Sequence, residues 1–386
     1  MRWASTMSST PRVEDALDEA LAALIEQLGG EIPDLLFAFA TPAYTAQLDR
    51  LVPHITRRAP DTVVLACVFT GVIGGGQEHE DVSAVVLFGA TLPGVSLFPF
   101  HLNRWGDWFE RVPDDLENAR GFILLADPFT FPTDSLLGWL QDRYPDSTAV
   151  GGLASGGFHP GDNRLICQDV IQDQGAVGVA LCGDIVVEAV VAQCCRPIGT
   201  PMFITRSDPE TNYLYELDAR PVLDVVEEIC QQLSPSDRAL IPGSLFIGLG
   251  MEQGLQEYRQ GDFVVRRVRA FDREVGALHI GGALSGQGIV QLQLLDPTTA
   301  VRELEQKLAQ RTGERRVDGA LLFSSMGRGK QLYGRSDQDS DIIRANLGNI
   351  PIGGGFSNGE IGPGAHRSFI HGFSSCVTLF STLSSR

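Results

Sequence analysis

Clustered basic residues are missing from this chain, in which 30 Lys and Arg face 48 Asp and Glu for a formal charge of −18. A protein that grips a nucleic-acid backbone neutralises phosphates with grouped cations. The positive runs here end at Arg266-Arg267 with Arg269 and at Arg315-Arg316, short enough to be solvated faces, so nucleic acid is not expected as a partner. The acidic balance mainly serves solubility. No apolar h-region follows Met1, because residues 1–11 are polar, and no export signal is read there. Asp184 and Glu188 interrupt the most apolar long window, 176–195, so no membrane span is expected. Seven cysteines, an odd number in a long chain, fit a reducing cytoplasm better than a disulfide framework.

Several chemical signatures are incomplete. Residues 67–76, CVFTGVIGGG, lack the lysine of a phosphate loop and the G-x-G-x-x-G spacing. Gly248, Gly250 and Gly254 miss the dinucleotide fingerprint by one residue and lead to a strand at 263–268 instead of a helix. Gly355-Phe356-Ser357-Asn358-Gly359 matches G-x-S-x-G, with His366 and His371 nearby. A nucleophile elbow needs a helix directly after the serine, and 360–364 holds two glycines and a proline. Those histidines, with His279, are not at the i, i+4 spacing of a helical metal site, and Cys194-Cys195 has no further spaced ligands. No catalytic residue, cofactor or metal is therefore expected, and a serine-dependent hydrolase stands only as an alternative.

Glycine is abundant instead. The 43 glycines concentrate at turns, most densely in 350–380, IPIGGGFSNGEIGPGAHRSFIHGFSSCVTLF. Counting five places from an apolar residue leads from Leu65 to Thr70, Val150 to Ser155, Ile280 to Ser285 and Ile352 to Ser357. Gly71, Gly156, Gly286 and Asn358 follow, residue types that enter the left-handed region cheaply. Short apolar runs at 35–39, 122–125, 245–247 and 320–323 precede these turns, three of them with a helical stretch between. The unit is strand, helix or excursion, strand, turn, strand, four times as two pairs.

The remaining segments are read in order. Apolar spacing over 13–28 predicts a helix stopped by Gly29-Gly30, and further helices are expected over 43–59, 135–144, 221–232 and, capped by Thr298 or Thr299, through Leu308. Residues 177–195 read as a hairpin turning at Gly183-Asp184. Trp105, Trp108 and Phe109 read as packing residues. Together these predict an α/β protein of two related halves, mixed sheets with helices outside, layered as helix, sheet, sheet, helix. The expected divisions are an extension over 1–32, an N-terminal domain over 33–219 and a C-terminal domain over 220–386.

The run Arg328-Gly329-Lys330-Gln331-Leu332-Tyr333-Gly334, followed by 350–380, closely resembles the C-terminal domain of the FIST family, named for F-box and intracellular signal transduction proteins. Gly71-Val72-Ile73-Gly74 and the segments 150–157, 195–199 and 213–221 resemble the N-terminal FIST domain and its junction. The resemblance spans 33–384 and departs from the common pattern at Ser324-Ser325, where a cysteine is usual, and in a shortened loop after Pro363. It implies a non-enzymatic sensory module that binds a small ligand such as an amino acid. With no kinase, cyclase or F-box segment in the sequence, its output would pass to a separate signalling partner.

The residues suit that implication. Glycine-rich turns expose N–H groups that can hold a carboxylate, and Ser155, Ser285, Ser357 and Asn358 add neutral hydrogen bonds. Glu360 is the expected site for a ligand ammonium, and Arg328 or Arg196 for its carboxylate. The competing readings are that the glycines only permit tight strand crossing, and that the whole chain is a ligand-free interaction scaffold.

Overall fold

Three short apolar pairs of strands organise most of the chain. The computed structural model describes residues 1–114, 116–252, 254–282, 284, 288–311 and 315–383. They form two compact units, one of Met1–Ala192, Leu304–Ile370 and Ser374–Arg386, the other of Gln193–Glu303 with His371–Phe373.

In the larger unit, Leu35–Ala40 runs parallel to Val63–Val68, Ala119–Ala126 to Thr148–Leu153, and Gly319–Ser325 to Ile352–Ser357. Each pair is almost wholly buried, which is why these strands read as continuous apolar runs without alternation. Parallel neighbours need a crossover. It is supplied by a 3-10 stretch and helix over Pro42–Arg50 and Leu51–Arg58, by the Thr133–Arg143 helix, and by the helices Gly329–Tyr333 and Gln338–Leu347. A return strand lies antiparallel to the first member of each pair: Val85–Thr91, Ala176–Gly183 and Ser374–Thr382. Outside each return strand sits an edge strand, Arg2–Ser8, Val95–Leu102 and Ile185–Gln193 respectively.

The sixth and fifth positions of each sheet are filled by exchange. The hairpin after the first pair, Val72–Gly74 with Gln77–His79, adds to the third sheet, setting Ile73 opposite Gly354 and Val72 opposite Gly355. The strands after the third pair, Glu360–Pro363 and Ser368–His371, extend the second sheet, with Glu360 opposite Gly152. The hairpin after the second pair, Leu165–Cys167 with Val170–Gln172, extends the first sheet. Three six-stranded mixed sheets thus share one strand order, and the exchange runs in a closed cycle.

The inner faces of the three sheets meet in one core that includes Phe37, Phe39, Phe69, Phe88, Ile123, Val150, Phe323 and Phe380. Trp3 stacks on Phe88 and Phe380 at 4.9 and 4.2 Å between ring centroids. Each such side chain contributes roughly 1.5–3 kcal/mol of burial. Helices cover the outside. Val13–Gln27 and Leu51–Arg58 pack on the first sheet through Leu17, Leu21, Leu24 and Ile55, and Thr133–Arg143 packs on the second through Leu136, Leu137 and Leu140. The expected mixed α/β architecture with outer helices is what the chain adopts.

The smaller unit is antiparallel. Its strands run in the order Cys195–Asp208, Ile289–Leu295, Leu245–Gly250, Phe263–Asp272, Ala277–Ile280, Tyr213–Leu217, Arg220–Pro221, and Tyr213–Leu217 also pairs back onto Cys195–Asp208, closing the sheet. Closure removes its open edges. Val222–Gln232 packs on this sheet through Val222, Val225 and Val226.

Four local expectations are corrected. The run at Leu245–Gly250 does not begin a fourth parallel unit, because its neighbour Phe263–Asp272 is antiparallel and the described residues between them hold no helix. Ala176–Gly183 and Ile185–Gln193 do not form a hairpin. Gly183 at φ +104° turns the chain so that the two strands enter different sheets. Asp296, and not Thr298 or Thr299, serves the start of the Pro297–Arg311 helix, accepting from Thr298 N at 2.9 Å and Thr299 Oγ1 at 3.0 Å. Trp108 is buried as expected, but Trp105 and Phe109 are 65% and 51% exposed.

Candidate functional site

The turns that leave the second strand of each pair interlock by backbone hydrogen bonds. Ser155 N donates to Val68 O at 3.3 Å, and Asn358 N to Leu153 O at 3.0 Å. Leu153 N donates to Gly359 O at 2.8 Å, and Phe356 N to Gly71 O at 2.9 Å. The register therefore makes Thr70, Ser155 and Asn358 equivalent, followed by Gly71, Gly156 and Gly359. The five-place count had put Ser357 in that set, and it is off by one because the third strand starts its apolar run one residue early. Thr70 N donates to Ser155 Oγ at 2.9 Å, and Ser155 Oγ donates to Phe356 O at 2.5 Å, while the Asn358 side chain faces solvent. Gly71 is needed for this closeness, since a Cβ there would stand 2.9 Å from the Phe356 ring and 3.0 Å from His79 O.

Ser357 points instead to a buried acid. Its Oγ lies 2.8 Å from Glu360 Oε1, and Ser374 donates to Oε2 through Oγ at 2.8 Å and N at 3.2 Å. Glu360 is fully buried. Burial pushes its carboxyl up to about 8, against the hydrogen bonds of Ser374 and Ser357 and the charge of Arg328. At neutral pH the acid keeps its proton. Ser357 Oγ also lies 3.5 Å from Ser324 O, so the carboxyl can donate to the hydroxyl and the hydroxyl to that carbonyl.

Arg328 and Asp339 form the other part of the network, both completely enclosed. The guanidinium meets the carboxylate as a fork, Nε to Oδ2 at 3.0 Å and Nη2 to Oδ1 at 2.8 Å. Ser324 Oγ, Ser375 Oγ and Tyr333 OH donate to the same carboxylate at 3.0, 2.5 and 3.1 Å. Burial alone would push the Asp339 carboxyl up, but Arg328 and the two serines hold it below the usual range. The exchanged hairpin adds Glu78, whose Oε1 accepts from Ser340 N at 2.9 Å and Oε2 from Asp337 N at 3.1 Å, while Asp337 Oδ1 accepts from Glu78 N at 2.6 Å. Burial, and then the charge of Asp339, pushes Glu78 up to about 7. A carboxyl on the exchanged hairpin of one repeat thus clamps the helix of another by its N-terminal amides.

Of the residues singled out in the sequence, Ser155 and Asn358 meet at the interlocked turns, and Ser357, Glu360 and Arg328 belong to the buried network. The fork of Arg328 is occupied by Asp339. Arg196 belongs to the smaller unit, where it pairs with Asp237 at 2.5 Å and Asp296 at 3.2 Å. Ser285 lies outside the described residues. Thr70 was noted only as a repeat marker, and Glu78, Tyr333, Asp339, Ser374 and Ser375 were not identified. Asp337 at the start and Asp339 and Asp341 in the first turn of the Gln338–Leu347 helix were a readable helix-start signal, but nothing local marks Asp339 as the partner of Arg328. Ser357 is followed by the strand Glu360–Pro363 and bonds a carboxyl, so the G-x-S-x-G run is no nucleophile elbow.

Residues 34–220 match the FIST N domain and residues 223–363 the FIST C domain. The chain is also similar along nearly its whole length to proteins named as uncharacterized. It is 34% identical to Mb0898c of Mycobacterium bovis over 391 residues, 98% of this chain and 99% of that protein. It is 33% identical to Rv0628c of Mycobacterium tuberculosis over 389 residues, 98% of this chain and all of the relative.

Proposed function

We infer, from the premise that this chain belongs to the FIST family, whose domains are linked to sensing and signal transduction, that it is a non-enzymatic sensor of a small polar ligand, an amino acid or another small carboxylate. The ligand-responsive centre is the buried network of Arg328, Asp339, Ser357 and Glu360, reached past Thr70, Ser155 and Asn358. One observation carries this reading. Among the described residues of three similarly built repeats, the third gathers a fully enclosed ion pair and an enclosed carboxyl held neutral at one end of its strands. Burying such groups commonly stabilises a fold no more than apolar packing of the same volume would, which favours a functional reason for them.

In this reading a ligand ammonium takes the place of the Glu360 proton, and a ligand carboxylate competes with Asp339 for the Arg328 fork. Asp339 lies in the first turn of the Gln338–Leu347 helix, so its release changes how that helix is held and what it presents to a separate partner protein. The seven free cysteines support a cytoplasmic setting, and no described helix is long and apolar enough to cross a membrane.

The test is a thermal-shift screen of the purified protein against amino acids, small carboxylates and nucleotides, since binding to the folded state raises Tm by mass action. A hit reduced by Asn358→Ala and abolished by Glu360→Gln, with both variants folded, is the expected result. No shift at millimolar concentration would favour the scaffold reading, for which the adjacent exposed rings of Trp105 and Phe109, 6.1 Å apart, provide a contact surface.

A further inference from the structure

Opposite the buried network, at the N-terminal ends of the same central strands, the larger unit has a groove of about 430 Å³. That volume falls in the range of small-molecule sites. We propose that this groove is a separate binding site for a small organic carboxylate with an apolar body, and this does not rest on the function assigned above.

Three arginines, Arg311, Arg315 and Arg316, line the groove in a chain whose overall charge is strongly negative. Glu188 pairs with Arg311, and Asp318 reaches Arg316 at 3.8 Å while its Oδ2 accepts from Thr382 N and Oγ1 at 3.1 and 2.9 Å. Arg315 and Arg316 are exposed where they line the groove, so their guanidinium N–H groups can meet a carboxylate. Ile350, Pro351 and Leu379 supply apolar lining. Asn346 spends its amide N–H on Ile342 O at 2.9 Å, so its carbonyl oxygen is left to accept from a hydroxyl or ammonium on the ligand.

The groove is not the network by another route. Val317 and Ile350 precede the strands Gly319–Ser325 and Ile352–Ser357, whereas Arg328 and Glu360 follow them, roughly 20 Å away at about 3.3 Å per residue. The two ends share the Gln338–Leu347 helix. Asp339 lies at its start, and Asn346 and Leu347, which line the groove, close it.

The probe is benzoate, with benzamide as its uncharged counterpart, followed by calorimetry and by methyl NMR shifts at Ile350 and Leu379. Benzoate should bind and move both methyl signals, and benzamide should bind at least about tenfold more weakly, because only the anion meets the arginines. Replacing the exposed pair by Arg315→Gln with Arg316→Gln should abolish benzoate binding, while Glu360→Gln should leave it unchanged. Equal binding of benzoate and benzamide, retention by the arginine variant, absence of binding at about 10 mM, or shifts confined to the Glu360 region would each overturn the proposal. Loss on Glu360→Gln with retention in the arginine variant would place the carboxylate at the network and leave the proposed sensor standing.

Discussion

Replacing Glu360 by glutamine should make the protein more stable at neutral pH, although it removes a side chain held by three hydrogen bonds. The carboxyl titrates near 8 in the folded protein and near its ordinary 4.5 when unfolded. Between those values the folded state holds a proton that the unfolded chain has released. Rising pH therefore removes stability across that window; below it both states are protonated, and above it both are ionised and the loss is complete. At pH 7 the interval covered is about 2.5 units, which at about 1.4 kcal/mol per unit amounts to about 3 kcal/mol. Glutamine has the shape of the neutral acid, with a carbonyl to accept from Ser374 and an N–H to give to Ser357, and does not ionise. Urea unfolding from about pH 4 to about pH 8.5 should show nearly equal stabilities at the acid end and an advantage for the variant that grows from about pH 5 upward. Glu78, raised to about 7, adds a loss in the same direction to both proteins and cancels in the difference. Parallel curves, or a variant weaker at pH 8, would refute a neutral Glu360.

Two further outcomes follow from the same region. Arg328→Ala should destabilise the protein by about 3–5 kcal/mol in urea unfolding, because Asp339 would be left charged and enclosed; stability like that of the parent would mean that water reaches the carboxylate. Gly354→Ala should yield little folded protein, since the residue sits at φ +149° and a Cβ would fall 1.9 Å from Leu322 O. A normal circular dichroism spectrum and melting curve for that variant would show that the Gly354 backbone can reposition.

The strand pairs were legible because both members are apolar and are separated by stretches of helical length, as in residues 35–68 and 319–357. Their partners were not. Val72–Gly74 is three residues long, and nothing within it says that it joins Gly354 and Gly355 some 280 residues later instead of a neighbour. The same non-locality hid most of the network, since Glu78 and Asp339 become significant only when the exchange brings them together. Arg196 looked available because its two acids, Asp237 and Asp296, lie 41 and 100 residues away. Ser357 and Asn358 exchanged roles because a count along the chain cannot see a one-residue difference in where a strand begins.

The cyclic exchange of strands has a consequence for how such a molecule can be divided. Each sheet is finished by a segment belonging to a different repeat, so a cut between repeats separates a sheet from its own outer strands and exposes a pairing edge on both pieces. The larger unit is in effect a ring of three repeats carried on one chain, with the geometry that separate subunits would have if each lent an arm to the next. Its pieces have a built-in reason to find one another again after a backbone break, and none has a reason to persist alone.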